Sequence, residues 1–313
     1  MQLRFTIAIA VLLAMIVVAM LPGIESVADE QRRPLLGTRT VAVDYRPDSM
    51  DPSGFGALRL AGAWRVASPD PRFGGLSGLD IASGRLVALT DFGAVVSLPK
   101  PDGTRPVRAT VLDLPDGPGD PRLKRGFDSE ALLSLGPGRG WLVGFERINE
   151  LWRYDERFKR PLGRWRVPRG VWPWAGFEAL AGDRGTLLLL PESGGEALRT
   201  VLGGRSIFVP FEAGRVSEAK SLPGGGILVI ERNSGLAGFA NRLVMLCAKD
   251  RGYRAVRSFP LGVGRLDNME GLAVEQGANG SLRLWLVSDD DQRWPMRTLL
   301  LALDWPIGVP RGC

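Results

Sequence analysis

Short runs of apolar residues, separated by turn-forming residues, make up most of the chain after residue 28. Runs such as Leu187–Leu190 and Ile227–Ile230 have the length and composition of buried strands. Turn signals such as Pro101-Asp102-Gly103 and Gly224-Gly225-Gly226 lie between the runs. Because no amphipathic stretch of three helical turns follows residue 28, the pattern predicts an all-β fold.

One pattern recurs along these predicted strands: an acidic residue, a short apolar strand, a turn and a second strand that ends on an acid. The copies start roughly 40 to 54 residues apart, a spacing typical of radial β arrays. Five copies are visible, and residues 41–70 offer material for another. The sequence therefore predicts a single β-propeller, with six blades as the first choice and five or seven as alternatives.

Two strands at the ends of the chain are expected to close this propeller. The first is predicted around residues 41–45, and the last at residues 298–304. We expect the last strand to pair with N-terminal strand material, since an open sheet edge is a liability for a soluble protein.

The repeat places carboxylates at corresponding positions, which converge when a radial fold closes. Acids near the start of the copies are Glu130, Glu178, Glu218 and Glu270. Acids at the ends of the second strands are Asp91, Glu146, Glu192, Glu231 and Asp289. Clustered carboxylates repel one another unless a cation balances them. Three interpretations stay open for these acids: acid–arginine pairs that join the blades, ligands of a metal ion, and groups for acid/base catalysis.

The chain contains no histidine, and this absence excludes several classes of chemistry. A Ser-His-Asp triad, a Cys-His pair and a histidine-rich zinc or iron centre are all excluded. The formal net charge is +6, but no basic run with interleaved aromatic residues indicates a nucleic-acid groove. Catalysis by this chain would depend on carboxylates, lysine, arginine, tyrosine or a metal ion held by oxygen atoms.

The N-terminal 28 residues have the features of a secretory signal peptide. Arg4 precedes an apolar run that ends at Pro22, and small residues up to Ala28 predict cleavage after that residue. The alternative is an uncleaved membrane anchor. We assign residues 1–28 to the signal, 29–50 to a linker that passes into the first strand, and 51–313 to the propeller. The folded part is expected in the periplasm or outside the cell.

The two cysteines, Cys247 and Cys313, are too few for a structural zinc site. An exported chain can join them in a disulfide. Because Cys313 is the last residue, where chains often fray, the sequence leaves this pairing open.

Several segments of the chain resemble the phytase-like domain family, exported bacterial proteins described as having esterase-like activity. The resemblance runs from about Phe73 to Asp304. It is carried by Phe127–Leu132, Phe145-Glu146-Arg147, Asn268–Leu272, Leu284–Asp290 and Arg297–Leu300. The resemblance implies a β-propeller that hydrolyses phosphate esters or other esters with calcium.

The repeat acids are the natural residues to carry such a reaction. Without histidine, hydrolysis of a phosphate ester needs a hard metal ion, and calcium prefers carboxylate and carbonyl oxygens. We expect Glu130, Glu270 and Asp289 to bind calcium. Glu178 or Glu231 is expected to position the attacking water.

Arginines are the expected anion-binding groups, since a guanidinium can hold two oxygen atoms at once. We select Arg147, Arg232 and Arg297 for this role. The longest loop, residues 115–127, carries Lys124 and two arginines. It is expected to form either a substrate-facing lip or a solvated basic surface.

These features predict an exported ester hydrolase, in the first place a calcium-assisted phosphoesterase that acts at the central face of the propeller. One alternative is a non-catalytic propeller that binds a small molecule, a glycan or a protein. The other is a calcium-dependent, lactonase-like enzyme. The expected partner is a small-molecule ester, phosphorylated or not, and the chain is expected to be a monomer that binds no nucleic acid.

Overall fold

The computed structural model describes residues 33–103, 106–167, 172, 176–235, 238–264, 267–305 and 313. The predicted signal peptide, residues 1–28, lies outside these residues. None of the described helices is long and apolar enough to cross a membrane. The longest of them, α1 (Lys124–Phe127), has a single turn, and a 3-10 turn spans Pro52–Phe55. The prediction of an all-β fold is confirmed.

The N-terminal strands are β1 (Arg39–Pro47) and β2 (Arg59–Ala67). The later strands form antiparallel meanders, which we number as units in chain order. Unit 1 contains β3 (Leu76–Ala82), β4 (Arg85–Thr90), β5 (Ala94–Leu98) and β6 (Val107–Asp113). Unit 2 contains β7 (Ser129–Ser134), β8 (Trp141–Phe145), β9 (Glu150–Tyr154) and β10 (Pro161–Arg166). Unit 3 contains β11 (Phe177–Asp183), β12 (Thr186–Pro191), β13 (Gly195–Thr200) and β14 (Ser206–Phe211).

Unit 4 contains β15 (Val216–Ser221), β16 (Ile227–Gly235), β17 (Gly238–Lys249) and β18 (Gly252–Leu261). Unit 5 contains β19 (Asn268–Gln276), β20 (Leu282–Asp289) and β21 (Leu299–Trp305). Its fourth strand is β2, which pairs with β21 and confirms the predicted closure by N-terminal strand material. Strand β1 pairs with both β2 and β6, so it joins unit 5 to unit 1.

The described strands thus form five units, and the expectation of six blades is not confirmed. The reason lies in the segment from residue 41 to residue 70. The sequence offers this segment as material for another blade, but its strands instead complete unit 5 and connect it to unit 1. The predicted first strand at residues 41–45 lies within β1.

The first strand of each unit is the innermost, and these five strands form a ring in a propeller-like arrangement. Each inner strand packs beside the next at equivalent positions: the Ser77 hydroxyl donates to the Ser129 carbonyl, and the Ser217 hydroxyl to the Met269 carbonyl. The inner strands therefore run in the same direction around a central channel. Apolar side chains fill the spaces between units, which explains why the second strands are continuous apolar runs.

A disulfide joins Cys247 of β17 to Cys313, which settles the question that the sequence leaves open. Cys313 packs against Gly225 and Gly226 in unit 4. Its carbonyl accepts a hydrogen bond from Arg184 in unit 3. The last residue of the chain is therefore attached to both units.

Candidate functional site: an acidic mouth of the central channel

Every inner strand has a β-bulge at the same place, one or two residues after its start. The irregularities fall at residues 76–78, 129–131, 177–179, 216–218 and 269–271. A bulge inserts an extra residue and redirects its side chain, and bulges are frequent next to active sites. The residues inserted by the five bulges are Ser77, Glu130, Glu178, Ser217 and Glu270. Three of the five units therefore present a glutamate at this level of the channel.

The second strands add charged residues at the same end of the channel. In each unit, the residue just before the bulge of the first strand pairs with a residue of the second strand. The charged residue is the next one along the second strand. They are Asp91, Glu146, Glu192, Arg232 and Asp289. Four units thus contribute an acid here, and unit 4 contributes an arginine.

In unit 4, the residues that face the channel are one position away from those that the sequence repeat predicts, on both β15 and β16. Ser217 and Arg232 occupy the channel positions, whereas the sequence reading assigned Glu218 and Glu231 to them. A shift of one residue along a strand turns a side chain to the opposite face. Glu231 is accordingly outside the acid group: its carboxylate accepts hydrogen bonds from Gly214 N and from Arg242.

We call the group at this end of the channel the acidic mouth. Its eight carboxylates, within the described part of the chain, are those of Asp91, Asp128, Glu130, Glu146, Glu178, Glu192, Glu270 and Asp289. Burial, reinforced by neighbouring carboxylates, raises the pKa of Glu130, Glu178 and Asp289 well above the usual range. Burial is also the main cause that raises the pKa of Asp91 and of Glu146 to about 7. The mouth is therefore costly to ionise unless a cation is present.

Four cationic side chains lie among these acids, and one of them, Arg215, pairs with Glu192. Arg232 of unit 4 contacts Glu270, Asn268 and Glu192, and its Nη2 lies 3.7 Å from Glu178. Because Arg232 occupies the position that is acidic in the other units, it balances the acids of units 3 and 5.

Lys124 and Arg147 contact the acids of units 1 and 2. Lys124 Nζ is 2.6 Å from Asp91 Oδ2 and 3.7 Å from Asp128 Oδ1. Arg147 Nε is 2.6 Å from Asp128 Oδ2. The loop of residues 115–127 therefore delivers Lys124 into the mouth, which favours the expectation of a substrate-facing lip over that of a solvated loop.

Three carboxylates of unit 2 lie close enough together to hold a metal ion. One oxygen each of Asp128, Glu130 and Glu146 lies within 4.8 Å of the other two. Asp128 Oδ1 is buried and has no hydrogen-bond partner in the described part of the structure. No hydrogen bond to the Glu130 carboxylate is found among the described residues either. These oxygen donors fit a hard cation such as calcium, which prefers carboxylate ligands.

The other predicted site residues are divided between the mouth and the rest of the molecule. Glu270 and Asp289 lie in the mouth but outside the three-carboxylate group of unit 2. The Asp289 carboxylate accepts a hydrogen bond from Asp291 N. Arg297 is not brought to the acids of the mouth: its guanidinium donates to Asp48 and Asp267.

Two residues of the site, Asp128 and Lys124, do not follow from the sequence repeat. Asp128 lies two positions before the bulge residue of its unit, at a place where the other units have Gly75, Gly176, Arg215 and Asn268. Because none of these four residues is acidic, repetition does not identify Asp128 as a ligand. The signal that was available is the Asp128-Ser129-Glu130 spacing itself, which brings two acids to the start of one strand.

Comparison with known proteins identifies the family. A family model described as phytase-like, esterase-like activity of phytase, matches residues 71–292. The chain belongs to this phytase-like family. The match confirms the resemblance found in the sequence and contains the whole acidic mouth. No curated protein matches the chain.

Solved structures resemble the chain at the level of the fold. The glutaminyl cyclase of Myxococcus xanthus is 14% identical, with a TM-score of 0.50, and the match covers 79% of this chain and 96% of the cyclase. A candidate gluconolactonase is 12% identical, with a TM-score of 0.46 and coverage of 93% and 99%. A catalytically inactive virginiamycin B lyase from Staphylococcus aureus is 9% identical, with a TM-score of 0.44 and coverage of 84% and 99%. At these identities the likeness concerns the fold alone.

Proposed function

We propose that this protein is an exported ester hydrolase, and specifically a calcium-assisted phosphoesterase, that acts at the acidic mouth of a five-bladed propeller. The observation that carries the proposal is the group formed by Asp128, Glu130 and Glu146, whose carboxylate oxygens converge. In this group, Asp128 Oδ1 is buried and accepts no hydrogen bond from the described residues. Membership of the phytase-like family supports the ester substrate. The disulfide supports export, since such bonds persist in oxidising compartments.

The charge of the mouth explains why the proposal includes a metal ion. A phosphate ester is an anion, and the ionised carboxylates of the mouth would repel it if only Lys124, Arg147, Arg215 and Arg232 balanced them. A calcium ion held by Asp128, Glu130 and Glu146 would supply the remaining positive charge and polarise a phosphoryl oxygen. Glu270 and Asp289 face the same mouth and remain candidates for further ligands.

The other residues of the mouth have distinct proposed tasks. Arg147 is 40% exposed and lies next to the proposed metal ligands, so its guanidinium is placed to bind an oxygen of the substrate. Arg232 donates to Glu270, Asn268 and Glu192. Its task in the proposal is to hold these acids in place.

Glu178 is the proposed group for proton transfer. It is the inserted residue of the β11 bulge, it faces the mouth, and Arg232 Nη2 lies 3.7 Å from its carboxylate. Burial and the neighbouring Glu146 raise its pKa well above the usual range, which favours the protonated carboxyl. A group in this state can give a proton to a leaving group or orient a water.

A panel of phosphate, carboxylate and lactone esters, each measured with calcium and with a chelator, tests this function. The proposal expects turnover of phosphate esters that the chelator removes and calcium restores. Preference for lactones would identify the lactonase-like alternative. Absence of turnover on every ester, from protein shown to be folded, would instead favour a binding propeller in which the acids and arginines connect the units.

A further inference from the structure

The central channel has a second mouth at the end opposite the acids. There the inner strands finish, and a cavity of about 530 Å³ opens between units 2 and 3. All five inner strands contribute to its lining, through Asp80, Ser134, Gly182, Lys220 and Val274 among others. Nothing in the proposed hydrolysis uses this cavity.

Lys220 closes the channel between the two mouths. It belongs to unit 4, but its Nζ donates to the Leu132 carbonyl of unit 2, at 2.8 Å. The same Nζ is 2.9 Å from the Glu218 carboxylate, and both side chains are almost completely buried. The layer of Glu218 contains only glycine or alanine in the other units: Gly78, Ala131, Ala179 and Gly271. Unit 4 therefore fills the channel, and the cavity is separate from the acidic mouth.

The acids that line the cavity already have partners. Asp80 accepts hydrogen bonds from Ile81 N and Ser134 N, and Asp183 accepts one from the Tyr253 hydroxyl. At the rim, Arg139 is exposed, and its guanidinium has no carboxylate partner among the described residues. Arg184, also at the rim, donates to the Cys313 carbonyl. Arg139 therefore offers an exposed guanidinium to a ligand at this rim.

Apolar side chains form the wall behind these arginines. Leu135, Leu187, Val201 and Leu202 line the cavity, and Val201 is 43% exposed. Covering such a wall removes apolar surface from water, which favours a ligand with a hydrocarbon body. The wall and the rim together combine an apolar surface with a cationic edge.

We propose that this second mouth binds a small amphiphilic anion. Its carboxylate or sulfonate head pairs with Arg139 at the rim, and its apolar body lies against Leu135, Leu187, Val201 and Leu202. Because Lys220 closes the channel, the ligand does not enter the acidic mouth. The site is thus independent of ester hydrolysis.

Calorimetric titration of the purified protein with octanoate tests this site, with 1-octanol and octylammonium as probes of the same length. The expected order is octanoate first, octanol about tenfold weaker because it lacks the charge, and octylammonium weakest. Arg139→Gln should weaken octanoate binding about tenfold and leave octanol binding unchanged. Arg157→Gln removes another exposed arginine, one that does not line the cavity, and should change neither affinity.

Three results would overturn the proposal. The first is no binding of octanoate, and the second is equal binding of octanoate and octanol. The third is unchanged octanoate binding by the Arg139→Gln variant, whose unfolding temperature should equal that of the wild type because Arg139 is exposed. Competitive inhibition of ester turnover by octanoate would place the ligand in the acidic mouth and would also contradict the proposal.

Discussion

At the scale of single residues, the β-bulge decides which acids face the channel. Glu130, Glu178 and Glu270 are the inserted residues of their bulges, and each has a raised pKa because it is buried among other carboxylates. Glu231 was predicted from the same repeat, but it pairs with Arg242 on a neighbouring strand. The repeat predicts that acids converge, but the sequence carries no marker of the register shift in unit 4.

Calcium binding should distinguish these two kinds of acid. Glu130→Gln removes one of the three convergent carboxylates and should weaken calcium binding by about a hundredfold or more, since calcium requires charged oxygen ligands. Glu231→Gln is the matched control, because it makes the same change outside the mouth and should leave the affinity unchanged. Calorimetric titration of metal-free protein measures both. Equal affinities for the Glu130→Gln variant and the wild type would remove Glu130 from the proposed site.

At the scale of the strands, the channel depends on small residues where neighbouring inner strands meet. A Cβ added to Gly271 would lie 2.5 Å from Val287 Cγ2 and 2.9 Å from Leu79 Cβ. The close approach of β19 and β3 therefore requires glycine at this position. Close packing of this kind is what places Glu270 next to the acids of the first two units.

Gly271→Ala should consequently destabilise the protein by about 1–3 kcal/mol, the usual cost of overpacking a core. Gly235→Ala is the control, because a Cβ at Gly235 would meet nothing within 4 Å. Chemical denaturation of both variants measures the difference. If Gly271→Ala were as stable as the control, the inner strands would be packed less closely than the structure shows.

Strands and turns could be predicted from the sequence, whereas their grouping into units could not. Apolar runs and glycine turns identify β12 and β16, and the repeat identifies the inner strands. The assignment of β2 to unit 5 depends on pairing with β21, more than 200 residues later in the chain. The sequence predicts that the last strand pairs with N-terminal material, but no local pattern identifies β2 as its partner, so residues 41–70 could be taken for a sixth blade. The role of Lys124 was uncertain for a different reason, since the sequence of a loop does not show whether its lysine side chain faces solvent or the channel.

At the scale of the whole molecule, two connections hold the ends of the chain to the ring. The N-terminal β1 and β2 join units 5 and 1, and the disulfide attaches Cys313 to unit 4. The disulfide closes a loop between residues 66 positions apart. Cross-links of this kind stabilise a protein mainly by restricting its unfolded chain.

Cys313→Ser should therefore lower the free energy of unfolding by about 2–4 kcal/mol. A reductant should lower the unfolding temperature of the wild type and leave that of the variant unchanged. The variant thus serves as the control for effects of the reductant other than cleavage of the disulfide. Thermal unfolding with and without reductant measures this. An equal effect of the reductant on both proteins would show that the disulfide does not contribute to stability.

The acidic mouth should also make stability depend on pH. Burial raises the pKa of Asp91 and of Glu146 to about 7 in the folded protein, whereas in the unfolded chain both titrate near their usual values of about 4. Between these values the folded state binds more protons than the unfolded state. The metal-free protein should therefore lose stability as the pH rises from about 5 to about 7.

Calcium should reverse this trend, because it binds the ionised carboxylates and only in the folded state. Unfolding temperatures measured from pH 5 to 8, with a chelator and with calcium, give the two curves. The prediction fails if the metal-free protein becomes more stable between pH 5 and 7, or if calcium leaves its curve unchanged at pH 8.

The most direct test of the central claim is the rate of phosphate ester hydrolysis by the wild type, Glu130→Gln and Glu231→Gln proteins in calcium and in chelator. We predict turnover by the wild type and by Glu231→Gln that requires calcium, and turnover by Glu130→Gln that is about a hundredfold lower or absent. Turnover that persists in chelator, or that Glu130→Gln retains in full, would contradict a metal-assisted reaction at the acidic mouth.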